Sequence, residues 1–137
     1  RSFLRGEKYE ELQDCLPGMI KQCVCSNKNC RASKLGFVTI NRGFSSKNAG
    51  FSLDRELVAD NFCPGCRRKT KVSNIAFNLC IYKYEFMKVG NDKIERTKWK
   101  KVGDTYHTLP QDTEDCDFSF CDIYVVHDSS RNSYLLK

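Results

Sequence analysis

The spacing of its cysteines constrains this chain more than any other feature. Residues 23–30 read Cys-Val-Cys-Ser-Asn-Lys-Asn-Cys, and residues 63–66 read Cys-Pro-Gly-Cys. In a C-x-x-C turn both sulfurs can point at one ion about 2.3 Å away. Proline and glycine in the gap favour the turn and leave backbone N–H groups free to face the thiolates. The wider Cys25-x4-Cys30 gap suits a second, looser hook, and thirty-two residues separate it from Cys63. Two hooks from distant parts of a chain complete a tetrahedral four-sulfur site, as in a zinc ribbon. The expected ligands are Cys25, Cys30, Cys63 and Cys66, and the expected cofactor is Zn2+. Cys23 lies two residues before Cys25, on the same face if the segment is a strand, and is an alternate ligand. Cys80 is the other alternate.

Two competing uses of these thiols are weaker. A fully paired disulfide domain would leave one of the nine cysteines over, and 137 residues can build a core without covalent staples. None of the nine asparagines lies in an N-x-Ser/Thr sequon, which favours an intracellular protein, cytoplasmic or nuclear. A redox C-x-x-C normally opens a helix after a strand, where the helix dipole lowers the thiol pKa. Here the pair leads into Arg-Arg-Lys-Thr-Lys and a β-rich run. Cys15, Cys80, Cys116 and Cys121 read as small buried hydrophobes, the usual state of free cysteine.

The rest of the chain reads as a single, mainly β domain with antiparallel strands and little helix. Residues 1–17 suggest a short charged helix or linker that ends at Pro17-Gly18, residues 18–128 the zinc-binding β domain, and residues 129–137 a tail. Residues 35–40, LGFVTI, form a strand-like run, and residues 43–52 a polar loop between Phe44 and Phe51. Ser52 is placed to cap a short helix over 52–60, with Glu56 one position beyond the capping-box site. Residues 72–89 predict one long strand with Tyr82, Tyr84 and Phe86 on one face. Gly90-Asn91-Asp92 predicts a hairpin turn into a return strand over 93–102. In 118–126, Cys121, Ile123 and Val125 alternate with Phe118, Phe120, Asp122 and Tyr124. No apolar run approaches the roughly 20 residues of a membrane span, so no membrane association is expected.

Charge is segregated. Residues 61–101 hold eleven Lys/Arg and three Asp/Glu, whereas residues 102–128 hold seven Asp/Glu and no Lys/Arg. Arg67, Arg68, Lys69, Lys71, Lys98, Lys100 and Lys101, with Trp99 interleaved, could make a nucleic-acid face. The plainer reading is that these lysines keep exposed strands soluble and that Trp99 belongs to the core. Asp112, Glu114, Asp115 and Asp117 lack a calcium-loop pattern. His107 and His127 sit in no catalytic motif, and no phosphate-cradling loop or nucleophile elbow is present, so no enzyme activity is expected.

With CVCSNKNC, CPGC, AFNLCIYKYEF and WKKVGDTYHTL in place, residues 18–126 resemble a group of cysteine-rich, zinc-ribbon-like eukaryotic domains of protist and fungal proteins. In that group the domain sometimes stands next to ubiquitin-like segments. The group reads C-x-C-x4-C, a Gly-Phe strand, C-P-x-C, then Cys-x-Phe-x-x-Cys-x-Tyr and a Trp-Lys…Tyr strand. Here Ile75 replaces the first cysteine of the fourth motif, which argues against Cys80 as a ligand. The function expected is a non-catalytic, zinc-stabilised interaction or scaffold domain, a subunit of a larger assembly whose partners are other proteins. The alternative is an RNA- or DNA-binding module that uses residues 67–71 and 96–101.

Overall fold

The computed structural model describes residues 11–109 and 117–137. The chain is mainly β, built from two antiparallel sheets and short helices. The first sheet orders as β2 (Val38–Gly43), β1 (Gly18–Val24), β4 (Lys71–Asn78) and β8 (His107–Thr108). The second orders as β3 (Phe51–Ser52), β9 (Phe118–His127), β5 (Cys80–Lys88) and β6 (Glu95–Arg96), with β7 (Lys100–Val102) also paired to β5. Helix α1 (Ala32–Leu35) leads into β2, and α2 (Leu53–Val58) follows β3 directly.

The core lies between the sheets. Met19, Ile75 and Phe77 from the first meet Tyr82, Cys121, Ile123 and Val125 from the second. Phe77 stacks on Tyr82 with ring centroids 3.8 Å apart and planes 7° from parallel. Burying side chains of this size contributes about 1.5–3 kcal/mol each. The expected alternation in β9 is present: Cys121, Ile123 and Val125 are buried, and the residues between them are exposed or half-buried. Gly18 permits the close approach of β1 to β2, because a Cβ there would sit 2.7 Å or less from the Gly43 backbone. Its φ of 108° is a second reason for glycine.

Several strand expectations are corrected. The run over 72–89 is not one strand. Leu79 takes a φ of 47° and breaks it into β4 and β5, which belong to different sheets. Leucine carries no signal for that left-handed conformation, and the alternation of burial resumes on the far side. Leu79 N–H donates to Gly103 O at 3.0 Å, which holds the switch. The strand expected from residue 35 begins at Val38, since Leu35 closes α1 and Gly36 turns with φ of 90°. The return strand over 93–102 is divided into β6 and β7. Trp99 does not join the core: it is half-buried, with Lys83 Nζ 5.2 Å from its ring. Ser52 stands at the start of α2, but its hydroxyl makes no capping bond. Of the N-terminal segment, Glu11–Gln13 forms one 3-10 turn, and Ser130–Leu136 forms another 3-10 segment. Cys116, Asp112, Glu114 and Asp115 lie outside the described residues.

Candidate metal centre

β1 carries the chain to Val24, and Cys25 follows as it leaves the strand. The next residues form a tight turn: Cys30 N–H donates to Asn27 O at 2.9 Å, and Asn29 N–H donates to Asn27 Oδ1 at 3.1 Å. Ser33 Oγ then ties Cys30 O to the start of α1 at 2.9 Å. Cys25 and Cys30 are thereby fixed on one side of the site.

The second hook is a closed knuckle. Cys63 N–H donates to Arg68 O, and Arg67 N–H donates to Cys63 O, both at 2.8 Å. Gly65 N–H points at Cys63 Sγ from 3.3 Å, the arrangement in which a backbone donor supports a thiolate. A Cβ at residue 65 would stand 3.1 Å from Cys30 Sγ, so glycine also makes room for the facing hook. Arg67 takes a φ of 64°, a left-handed position that glycine fills more comfortably. Thr70 anchors the base of the knuckle, with its N–H and hydroxyl both 2.7 Å from Asn61 O.

These hooks bring Cys25, Cys30, Cys63 and Cys66 together, with all four sulfurs within 4.8 Å of one another. Cys25 Sγ lies 3.7 Å from Cys66 Sγ, and Cys30 Sγ lies 3.9 Å from Cys63 Sγ. Four sulfurs about 2.3 Å from one ion at tetrahedral angles stand about 3.8 Å apart. The cluster therefore has the dimensions of a site that could hold a metal ion. Three of the four cysteines are buried and Cys66 is half-buried.

The electrostatics follow from crowding four thiols. Burial, and hydrogen bonding to Cys66 and Cys63, push the Cys25 thiol up to about 12. The Asn27 side chain and the Arg68 backbone N–H draw Cys66 down to about 6. Without a cation the cluster resists collecting negative charge. A cation would displace the remaining protons, so metal affinity falls as pH is lowered.

Neither alternate ligand enters the cluster. Cys23 is fully buried two residues before Cys25, inside β1, with its Sγ 3.9 Å from Lys21 O. It packs against the cysteines as a neighbour in the same small core. Cys80 belongs to the core between the sheets, where burial pushes its thiol up to about 12.

The basic residues divide between the two sheets. Arg67, Arg68 and Lys69 are exposed on the knuckle and Lys71 is exposed on β4. Lys98, Lys100 and Lys101 are exposed at β7 in the second sheet. Lys69 pairs with Asp60 at 2.9 Å and Lys101 with Asp128 at 3.6 Å. Lys83 lies 5.2 Å from both the Trp99 and Tyr124 rings and 2.8 Å from Glu85 Oε2. Trp99 is thus engaged with a neighbouring cation, not presented as a bare stacking platform.

A buried charge cluster was not foreseen from sequence. Lys21 points inward from β1 and places Nζ 3.3 Å from Glu56 Oε1 and 3.2 Å from Glu56 O. Arg42 Nε reaches the same carboxylate at 2.6 Å. Burial alone would raise the Glu56 carboxyl, but Arg42 and Lys21 outweigh it and hold the group below its usual range. Asn61, at the knuckle base, donates to Glu56 O at 3.2 Å and so links this cluster to the metal hook. The available signal was Lys21 itself, a charge within Met-Ile-Lys-Gln-Cys, where a buried strand would otherwise be apolar.

No helix among the described residues is long and apolar enough to cross a membrane. Comparison with protein-family models, with curated proteins and with solved structures finds no match to this chain.

Proposed function

We propose that this chain is a non-catalytic β domain whose knuckle end is stabilised by a structural zinc ion and which binds other proteins within an assembly. The observation that carries the reading is the four-sulfur cluster, with partner sulfurs at 3.7 and 3.9 Å and three ligands buried. A closed tetrahedral thiolate set with no carboxylate or water position suits a structural ion better than a catalytic one. The same donor set also accepts iron, so elemental analysis of the purified protein decides the metal. One zinc per chain is expected. Treatment with a strong chelator should then remove secondary structure at the knuckle end and broaden the amide spectrum of residues 23–40 and 61–72. An apo protein with unchanged circular dichroism and an unchanged amide spectrum would overturn the reading. A nucleic-acid role finds less support, because the two basic stretches lie on different sheets and Trp99 is covered by Lys83.

A further inference from the structure

At the pole remote from the cysteines, three stretches of chain surround a cleft of about 680 Å³. Gly43 pairs with Met19 at the start of β1, whereas Cys25 follows the end of that strand. The loop after Gly43 therefore lies at the opposite end of the first sheet from the metal hooks. This loop forms one wall, the end of β9 a second, and residues 129–132 the third. The walls hold one another. Ser45 N–H donates to Val125 O and Val125 N–H donates to Ser45 Oγ, both at 2.9 Å. Phe44 stacks on His127 with ring centroids 3.6 Å apart. Asn132 Nδ2 donates to His127 O at 2.9 Å, and Lys47 Nζ donates to Tyr134 Oη at 2.7 Å.

The charge of the cleft is one-sided. Lys47 and Arg131 line it, and no Asp or Glu does. Asp128, the nearest carboxylate along the chain, is drawn to Lys101 at 3.6 Å. Lys47 donates to a neutral phenol, so that contact leaves its charge unopposed. Among the described residues, the Arg131 guanidinium and the Ser129 hydroxyl have no hydrogen-bond or ion-pair partner. A cleft lined by charges of one sign concentrates counter-ions. The donors also select among anions. A carboxylate brings a single charge, whereas a phosphate monoester brings about −1.5 to −2 near neutral pH and three acceptor oxygens. Two cations, a free hydroxyl and the His127 imidazole match the second better than the first.

We propose that this cleft binds a phosphate monoester group. Arg131 grips two phosphate oxygens with its planar fork, Lys47 neutralises the third, and Ser129 and His127 add donors. The carrier is a small organic phosphate or a phosphorylated serine of a partner protein, since both present the same head group. The site shares no residue with the cysteine cluster, so it stands whether or not that cluster holds a metal.

The test titrates the full chain with inorganic phosphate, with phosphoserine and with an alanine peptide carrying a central phosphoserine, followed by amide chemical shifts. Saturable shifts are expected at residues 45–47 and 127–132. Lys47 and Arg131 are both exposed, so Lys47→Gln and Arg131→Gln should keep the wild-type circular dichroism. Each should weaken binding roughly ten-fold or more, while Arg67→Gln/Arg68→Gln at the distant knuckle should leave it unchanged. Tighter binding of the peptide than of phosphoserine supports the site with a partner protein as the carrier. Equal binding supports it with a small organic phosphate. No saturable binding of any of the three, or full affinity in both cleft variants, would overturn the proposal. So would acetate binding as tightly as phosphate, or an equal loss in the knuckle variant, which would mean attraction to basic surface in general.

Discussion

Around Cys23, Cys25, Cys30 and Cys63 the interior consists of sulfur, Ala32 and Val38, whereas between the sheets it consists of Ile75, Phe77, Tyr82, Ile123 and Val125. The second set removes large apolar surfaces from water and holds its strands by hydrophobic burial. The first set offers less hydrocarbon, with only the half-buried Leu12, Ile40 and Val72 packed against it, and the segments it must order are long: the turn after β1, α1 and the whole knuckle. Ordering each residue costs roughly 1–2 kcal/mol of conformational entropy, which a few small side chains do not offset. A metal ion held by the four sulfurs would concentrate the missing stabilisation at one point. The two regions therefore ought to fail independently and for different reasons.

The largest effect should come from the sulfur end. Replacing Cys63 with Ser removes a ligand and the acceptor of the Gly65 N–H. Stoichiometric metal should be lost, and the knuckle should disorder. The ~10–16 kcal/mol of structural zinc in small peptides bounds the cost from above. Full zinc occupancy in this variant would erase the distinction between the regions. At the other end, Phe77→Ala deletes half of the Phe77–Tyr82 stack and should cost about 3–5 kcal/mol in urea unfolding. Its zinc content should stay unchanged, and loss of metal would show that the regions are coupled.

Between them stands Glu56. Glu56→Gln leaves Lys21 buried without its counter-ion and should destabilise by about 3 kcal/mol. Because the folded carboxyl lies below its unfolded value, wild-type stability from this group is present above the unfolded carboxylate range. It is lost as pH falls through the lower, folded pKa. Stability curves of the two proteins should therefore converge in acid, and parallel curves would exclude the ion cluster as the cause. The smallest effect expected is that of Gly65→Ala. The added methyl presses on Cys30 Sγ at 3.1 Å and should weaken zinc about ten-fold, since groups supporting the ligands have effects of that order. Competition with a chromophoric chelator measures it, with the sheet core unaffected.

How far these features were legible follows from how locally each is encoded. The Cys63/Cys66 hook is written in four consecutive residues, and its geometry needs nothing remote. The alternation of Cys121, Ile123 and Val125 similarly exposes the inner face of β9. Choosing between Cys23 and Cys25 depends on where β1 stops. The strand ends at Val24, and only beyond it is the backbone free to aim a sulfur at the knuckle. The turn at Leu79 is set by tertiary packing, since both flanking segments carry strand patterns and the residue favours neither sheet. The Lys21–Glu56–Arg42 cluster unites three separate elements, and no single segment encodes it. Trp99 resembled a core residue by type, yet the outer face of the second sheet claims it through Lys83.

The path of the chain between the two hooks has a further consequence. The residues from Cys30 to Cys63 carry β2, the polar loop, β3 and α2, and they visit both sheets before returning. Ser46, Lys47, Asn48 and Ala49, between β2 and β3, are exposed. A single cut beside Lys47 would leave Cys25 and Cys30 on one fragment and Cys63 and Cys66 on the other. A metal held by them would then join two polypeptides, alongside the β1–β4 ladder. Reassociation of two such halves is expected to strengthen with added metal, because each half alone carries only two of the four sulfurs.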